Sequence, residues 1–291
     1  MQNFKEIAMK YVFFFAALFS VAAVSLICIF LFANGIPAMG KIGFFNFLLG
    51  REWSPNDVPA YFGIFPMILG SIYITAGAVI VGVPIGILTA VFMAEMCPKK
   101  LYKILKPAVD LLAGIPSIVY GFFAVVVIVP FVRAFFGEKL GMGGNGSSIL
   151  TASLLLGIMI LPTIISITES SVRAVPREIY DGAVALGASR ERAVFGCVIP
   201  AAKSGIMAGV ILGIGRAIGE TMAVIMVAGN QARMPAGIFK GIRTLTANIV
   251  LEMGYASGLH REALIATGVV LFVFILIINL LFSILKKGDN K

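Results

Sequence analysis

Arg216 and Glu220 are the two charged residues of an otherwise apolar stretch that runs from Gly205 to Ala228. Charged side chains inside a membrane-length apolar segment are rare and usually face a bundle interior or a substrate path. If the stretch is one helix, the four-residue spacing places both on one face. The planar guanidinium of Arg216 suits a tetrahedral oxyanion, and Glu220 would orient it or accept a proton from a protonated anion. The alternative is a salt bridge that only locks helices together.

A stripe of glycines continues the same predicted face backwards through Gly213, Gly209 and Gly205. Steps of three and four residues stay on one side of a helix, and small residues there permit close helix packing. We expect this stripe to face a partner subunit and the pore.

Other chemistry finds little support in the sequence. There is no Ser/His, Cys/His or paired-carboxylate arrangement typical of an enzyme, and the single His260 cannot build a metal site. Cys28, Cys97 and Cys197 lack metal-ligand spacing and are expected to be unpaired thiols. The one Gly-Lys pair, Gly40-Lys41, is not part of a phosphate-binding loop, so no ATP is expected to bind this chain. A glycine-rich run at Gly141, Gly143 and Gly146 follows no predicted strand and is interpreted as a flexible external loop.

The composition predicts a membrane protein. Of 291 residues, 59% are hydrophobic and only 13% are charged, too few to coat a water-facing globule. In a membrane protein the net charge of +9 does not indicate nucleic-acid binding. A helix that crosses the hydrocarbon needs about 20 apolar residues. Six stretches satisfy or approach this length: Val12–Ala33, Phe65–Met96, Ala108–Phe131, Ile149–Thr168, Gly205–Ala228 and Leu264–Leu285.

The distribution of basic residues predicts the orientation. With alternating spans, most Lys and Arg residues fall on the side that holds both termini. Positive residues collect on the cytoplasmic side, so both termini are predicted to be cytoplasmic. Residues 1–61 form an N-terminal anchor with an external loop, residues 62–285 a core of five spans, and residues 286–291 a tail. Trp53 and Tyr61 would anchor at the interface, and Gly229–Glu262 would form an external gate that partly re-enters the bundle.

The cytoplasmic loop 173–203 carries the signals of a compact helical hairpin. Pro176 and Glu178 suit the first turn of a helix, and Gly187 suits its left-handed C-terminal cap. Ser189 would cap a second short helix that ends at Pro200. The small residues Gly182, Ala183 and Ala185 favour docking against another protein. An amphipathic hairpin on anionic lipid is the alternative.

This hairpin resembles the EAA loop of ABC-importer permeases, in which E-A-A is followed by three residues, Gly, nine residues and I-x-L-P. Here the run is Asp181-Gly182-Ala183, then Gly187, then a segment Cys197 to Pro200. The spacing, Gly187 and Pro200 agree with the motif, whereas Asp181, Gly182, Cys197 and Ile199 depart from it. The resemblance implies an all-α type I ABC-importer permease whose coupling helix, within 173–203, is held by a cytoplasmic ATPase.

The run from Gly215 to Ala223, GRAIGETMA, is similar to the signature of phosphate-permease subunits of the PstC type. The stretches LLAGIPSIVYG at 111–121 and TLTANIVLEM at 244–253 agree with it. This resemblance implies that Arg216 and Glu220 are the transport-critical charges. It also implies a sister permease, an ATPase dimer that supplies the energy, an extracytoplasmic phosphate-binding protein and a location in the plasma membrane of a prokaryote.

The apolar composition also allows three other functions. The first is an ABC permease for another oxyanion, such as phosphonate, sulfate or molybdate. The second is a secondary transporter or channel, although the inverted repeats common in that class are absent. The third, an intramembrane enzyme, lacks a catalytic arrangement.

Overall fold

The computed structural model describes residues 2–141 and 144–288, and these fold almost entirely into helices. The helices are α1 Gln2–Ile42, α2 Phe44–Leu49, α3 Phe65–Val91, α4 Lys99–Gly114, α5 Ser117–Phe123, α6 Val129–Val132, α7 Ile149–Arg173, α8 Arg177–Ala185, α9 Arg190–Ala193, α10 Ile199–Gly219, α11 Met222–Val227, α12 Leu245–Glu252 and α13 Gly258–Gly288. Wider π-helical turns occupy Phe92–Met96, Ala124–Ile128, Arg133–Lys139 and Val194–Val198. A two-stranded antiparallel hairpin pairs β1, Trp53–Ser54, with β2, Tyr61–Phe62. Gly143 of the predicted external loop and residues 289–291 of the predicted tail lie outside the described residues.

The described residues contain six helices long and apolar enough to cross a membrane, which confirms the predicted number. They are Glu6–Ile42, Phe65–Met96, Ser117–Lys139, Ile149–Arg173, Arg190–Gly219 and Gly258–Leu281. The first is much longer than predicted, since 37 residues extend about 55 Å at the usual helical rise. The third span begins at Ser117 and not at the predicted Ala108, and the fifth runs from Arg190 to Gly219 and not from Gly205 to Ala228.

The predicted third span, Ala108–Phe131, is wrong at its start. Residues up to Gly114 belong to α4, and the backbone is extended at Ile115 (ψ 126°) and Pro116 (ψ 141°) before α5 begins. A proline disfavours helical backbone at the residue before it and donates no hydrogen bond of its own. The hydroxyl of Tyr120 bridges the break by donating to the carbonyl of Leu112 at 2.8 Å.

Pro200 does not end the second helix of the cytoplasmic hairpin, in contrast to the prediction. The helix continues from Arg190 to Gly219 as one span, with the π-helical turn Val194–Val198 directly before the proline. A proline ring crowds the carbonyl one turn earlier in a regular α-helix. The wider turn accommodates this conflict without breaking the helix.

α7 lies at the centre of the bundle, between α3 and α10. Two-thirds of its most hydrophobic window is buried (67%), whereas the corresponding window of the first span contains no buried residue. Apolar burial gives little drive between helices in lipid, so close packing at small residues has to hold them. A Cβ placed on Gly82 of α3 would lie 2.7 Å from the carbonyl oxygen of Gly157 in α7.

The glycine stripe of α10 packs inside this chain, so the prediction that it faces a partner subunit and the pore is wrong. A Cβ on Gly205, Gly209 or Gly213 would meet side chains of α7: Ser171, Ile167 and Ile164 respectively. The small residues therefore form the α10–α7 seam. Which helix they meet depends on a tertiary contact that the spacing alone does not encode.

A cluster of polar and charged side chains around Glu252 connects the β1–β2 hairpin, α12 and the start of α13 on the external side. Glu252, at the end of α12, is buried and accepts from Nε1 of Trp53 at 2.9 Å. Its carboxylate also contacts Nε2 of His260 at 2.8 Å and pairs with the guanidinium of Arg243. Trp53 is only 6% exposed, so it is a packed residue and not the predicted interface anchor. The buried face of α12 agrees with the predicted partial re-entry of this loop into the bundle.

The close approach of α3 and α7 predicts opposite effects for two glycine substitutions. Gly82→Ala should destabilise the protein by about 1–3 kcal/mol, because the new methyl group meets a backbone oxygen. The matched control is Gly215→Ala in α10, where a Cβ meets no atom within 4 Å. That change should be neutral or stabilise by up to about 1 kcal/mol, because alanine favours helices. Thermal unfolding in detergent measures both, and equal effects would contradict the proposed packing.

The external cluster predicts that Glu252→Gln loosens the β1–β2 hairpin. The variant leaves the half-buried Arg243 without its charge partner, and breaking such a pair costs about 3–5 kcal/mol. Trp53 is the single tryptophan of the chain, so its fluorescence should shift to the red as the hairpin detaches. Glu262→Gln, which removes the exposed pair with Lys41, is the control and should change neither emission nor stability measurably. Unchanged emission in Glu252→Gln would contradict this role.

Candidate functional site

The fifth span ends in a break at the residues singled out for their charge. α10 stops at Gly219, Glu220 has an extended backbone (φ −69°, ψ 130°), and α11 begins at Met222. The predicted continuous span to Ala228 is therefore wrong. Both carbonyl oxygens at the break are used, since Thr221 Oγ1 donates to Gly219 and Thr246 Oγ1 donates to Glu220, each at 3.2 Å.

Glu220 caps the short helix α11 and does not pair with Arg216. Its Oε1 accepts a hydrogen bond from the backbone N–H of Ala223 at 3.2 Å. A carboxylate at a helix N-terminus satisfies an N–H that has no intrahelical partner. The prediction of a neighbouring pair on one helical face fails because the helix ends between the two residues. The second oxygen, Oε2, makes no hydrogen bond among the described residues.

Arg216 lies half-buried in the last turn of α10. Among the described residues, no hydrogen bond or ion pair is formed by its guanidinium. A cation at this end of a helix is favoured by the helix dipole, but its five N–H donors still need acceptors. The neighbouring helix α5 packs against α11, and the hydroxyl of Tyr120 in α5 spans the break between α4 and α5. A guanidinium so placed is available to an anion.

The surface around Arg216 is open on one side. A Cβ built on Gly215 or Gly219 would meet no atom of this chain within 4 Å. The structure therefore brings an unpaired guanidinium, a capped helix break and an open glycine surface together. That Arg216 and Glu220 line a substrate path stays a prediction.

Sequence reasoning missed Thr246 and Tyr120 as neighbours of this break. Thr246 is 26 residues from Glu220 along the chain and reaches it only because α12 folds back against the bundle. Both residues lie in stretches that carried the resemblance, 111–121 and 244–253, and this is the signal that could have identified them. Nothing in the local periodicity placed either residue near this break.

The cytoplasmic hairpin has the predicted caps. α8 covers Arg177–Ala185, and Gly187 adopts the left-handed conformation (φ 88°) just after it. The N–H of Gly187 donates to Val184 and that of Ala188 to Ala183, which closes the last turn. Ser189 caps α9 by accepting from the N–H of Arg192 at 3.3 Å.

The predicted docking residues lie on the surface of this hairpin. Asp181, Gly182 and Gly187 are exposed, and Ala183 is half-buried. A Cβ on Gly182 would meet nothing within 4 Å, so a partner can approach its backbone closely. Leu186, at the end of α8, is 91% exposed, which leaves an apolar tip beside the open glycine. Pro200 is exposed in the first turn of α10, away from this tip along the chain.

Within the described ranges, no group of three or more His, Cys, Asp or Glu side chains could hold a metal ion. Cys28, Cys97 and Cys197 are unpaired and half-buried.

Comparison with known proteins agrees with this architecture. Residues 82–288 match the family model of the binding-protein-dependent transport system inner membrane component. The chain is 38% identical to the probable ABC transporter permease protein YqgH of Bacillus subtilis, over 92% of this chain and 87% of the relative. It is 37% identical to the phosphate transport system permease protein PstC of Mesorhizobium japonicum, over 90% of this chain and 84% of the relative.

Solved transporter structures share the fold. The MetNI methionine ABC transporter in an inward-facing conformation matches with a TM-score of 0.60 at 18% identity, over 77% of this chain and 95% of the other. A bacterial alginate ABC transporter matches with a TM-score of 0.64 at 15% identity, over 94% and 95%. With six apolar helices, the chain is a multi-pass protein of the plasma membrane with a type I ABC-importer permease fold. It belongs to the family of binding-protein-dependent transport system inner membrane components, as an ABC permease of the PstC-like group.

Proposed function

We propose that this chain is a permease subunit that moves inorganic phosphate into the cell as part of an ABC importer. The observation that carries the proposal is the half-buried guanidinium of Arg216, which has no partner among the described residues. Its sequence context, GRAIGETMA, and the relatives named for phosphate transport support phosphate as the anion. An extracytoplasmic binding protein would deliver it, and a sister permease would complete the conduit.

Phosphate would bind Arg216 through paired N–H···O bonds, which fit a tetrahedral oxyanion. The extended backbone at Glu220 separates α10 from α11, and the Glu220 carboxylate stabilises this break by capping α11. Its free Oε2 is available to a proton of singly or doubly protonated phosphate, which sulfate does not carry. Glu220 thereby contributes selectivity in addition to shape.

Energy would come from a cytoplasmic ATPase dimer that holds the hairpin 173–203, so this chain would need no cofactor of its own. The exposed Asp181 and Gly182 and the apolar Leu186 form the surface such a partner would contact. ATP binding would close the dimer and move the hairpin, and the conduit would open alternately to each side of the membrane.

Arg216→Ala should reduce phosphate uptake by about 100-fold or more, because each charge-assisted hydrogen bond lost is worth about 1.5–3 kcal/mol. Arg216→Lys should restore uptake only in part, since a point charge replaces the planar fork. Uptake of radiolabelled phosphate by cells without other phosphate importers measures both. Arg261→Ala, at an exposed external arginine, is the control and should transport normally. Normal uptake by a correctly inserted Arg216→Ala would refute the assignment.

Selectivity is tested at Glu220. Glu220→Gln keeps an oxygen for the Ala223 N–H but removes the proton acceptor. Sulfate and molybdate, which are fully ionised at neutral pH, should then compete with labelled phosphate more strongly than in the unmodified protein. An unchanged competition profile would remove the selectivity role of Glu220, and uptake of another oxyanion in preference to phosphate would identify that anion as the substrate.

The docking surface is tested by copurification of the ATPase. Gly182→Leu adds a bulky side chain where this chain has open space, so folding should be unaffected while the partner's approach is blocked. Gly40→Leu places the same substitution at another unobstructed helical glycine, on the outer side of the membrane. We expect the ATPase to copurify with Gly40→Leu and to be lost, about tenfold or more, from Gly182→Leu. Equal recovery from both would contradict this docking surface.

A further inference from the structure

Glu169, in the last turn of α7, is a carboxylate buried at the cytoplasmic end of the bundle (3% exposed). It accepts from the hydroxyl of Tyr102 at 2.6 Å and from Nε of Arg173 at 2.9 Å. Nζ of Lys106 lies 3.3 Å from its second oxygen. A buried charge is tolerated only where such partners replace its hydration.

These partners come from different elements, so the carboxylate joins them. Tyr102 and Lys106 lie on α4, whereas Arg173 ends α7. Arg173 also donates to the carbonyl of Met93, in the π-helical end of the second span, at 3.0 Å. Its guanidinium stacks on the Tyr102 ring, 4.7 Å from the ring centroid. The inner ends of α3, α4 and α7 are held at one point.

The base of the hairpin is attached to the same place. Arg177, the first residue of α8, donates to Glu95 at 3.3 Å, and the Glu95 side chain is only 7% exposed. Glu95 lies two residues after Met93 in the same π-helical turn. Tyr180 of α8 packs against the apolar cluster beneath it, which includes Val172.

The protonation states suit this arrangement. The hydrogen bond to Glu169 raises the pKa of Tyr102, so the phenol stays protonated and donates. Burial alone would lower the pKa of Lys106, but the charges and hydrogen bonding of Glu169 and Asp110 together outweigh it, and the pKa is raised. The carboxylate is therefore matched by two permanent cations, Lys106 and Arg173.

At its other end, α4 contacts α5. Leu112, two turns after Lys106 on α4, accepts from the Tyr120 hydroxyl across the break at Pro116. The helix α5 in turn packs against α11, since a Cβ on Gly121 would lie 3.1 Å from the Cα of Ala223. A chain of polar contacts, the helix α4 and this packing contact thus runs from the base of α8 to the α11 side of the break at Glu220.

We propose that Glu169 is a positioning residue that makes the base of α8, the inner end of the second span and α4 one rigid unit. This inference rests on the proposed function, because it assigns the route by which movement of the hairpin reaches the anion site. Without the carboxylate's charge, Lys106 and Arg173 repel each other and α4 separates from the hairpin. ATP hydrolysis then continues while less phosphate moves for each ATP.

The first test uses the complete transporter, with its partner subunits, reconstituted in proteoliposomes. Radiolabelled phosphate is added to the outside solution. Glu169→Gln keeps the size of the side chain and the acceptor for Tyr102 but removes the charge. We expect the ratio of phosphate imported to ATP hydrolysed to fall roughly tenfold, within the usual range for coupling between sites. Glu169→Asp, which keeps the charge, should recover part of the ratio. An unchanged ratio in Glu169→Gln would overturn the proposal.

Asp110→Asn is the matched control. Asp110 pairs with the same Lys106 at 3.4 Å but is 56% exposed, so its loss removes a neighbouring charge without touching the buried carboxylate. Its ratio should equal that of the unmodified transporter. Should Glu169→Gln fail to assemble, Tyr102→Phe replaces it, because this change removes one hydroxyl and leaves the ring under Arg173. We expect a smaller fall in the ratio, and no fall would overturn the proposal.

A second measurement does not depend on the substrate. Spin labels at Lys103→Cys on α4 and Glu178→Cys on α8, with the native cysteines changed to serine, report the distance between the two elements. The distance should be the same without nucleotide and with ATP trapped, and it should broaden or shift in Glu169→Gln. A distance that changes between nucleotide states in the unmodified background would overturn the rigid unit. If phosphate is not imported at all, the proposed substrate fails while this distance still decides the role of Glu169.

Discussion

A bilayer offers no water to a buried ion, so each charged side chain inside the bundle has to find its partners within the protein or in something that passes through it. The buried carboxylates of Glu252 and Glu169 find such partners within the protein. Glu252 on the outer side is matched by Arg243, Trp53 and His260, and Glu169 on the inner side by Tyr102, Arg173 and Lys106. Arg216, between them in sequence, has no such partner among the described residues. The contrast separates charges that hold the fold from the one that we propose binds the transported anion.

The packing divides the bundle into fixed and movable parts. The seams of α7 with α3 and α10 are closely packed at glycines, which meet the backbone of α7 at Gly82 and its side chains at Gly205, Gly209 and Gly213, and such interfaces resist sliding. Breaks at Pro116 and Glu220 interrupt the third span and the end of α10, and side-chain hydrogen bonds hold each break, from Tyr120 at the first and from Thr221, Thr246 and Glu220 at the second. A rigid centre with jointed surroundings suits a conduit that opens alternately to the two sides of a membrane.

Hydrogen bonding explains why the breaks do not destroy the helices around them. At Glu220 the carboxylate accepts a hydrogen bond from a backbone N–H of α11 that has no partner within the helix. At Pro116 the proline has no backbone N–H that could remain unsatisfied. Before Pro200 the backbone forms a π-helical turn, which keeps the span continuous. The same residue type therefore ends one helix and passes through another, depending on whether the preceding turn can widen.

The sequence by itself determined the features that depend on nearest neighbours along the chain. Apolar length fixed six spans, and local backbone rules fixed the caps at Gly187 and Ser189, because a left-handed glycine and a serine cap act within one turn. The proposal of a docking surface at Asp181 and Gly182 rests on this hairpin together with the resemblance. Tertiary structure decided the rest. It separated Arg216 from Glu220, turned the glycines of α10 toward α7, and joined Trp53 to Glu252 across 199 residues. Those outcomes depend on which helices meet, and contact between distant segments is set by packing that no local pattern records.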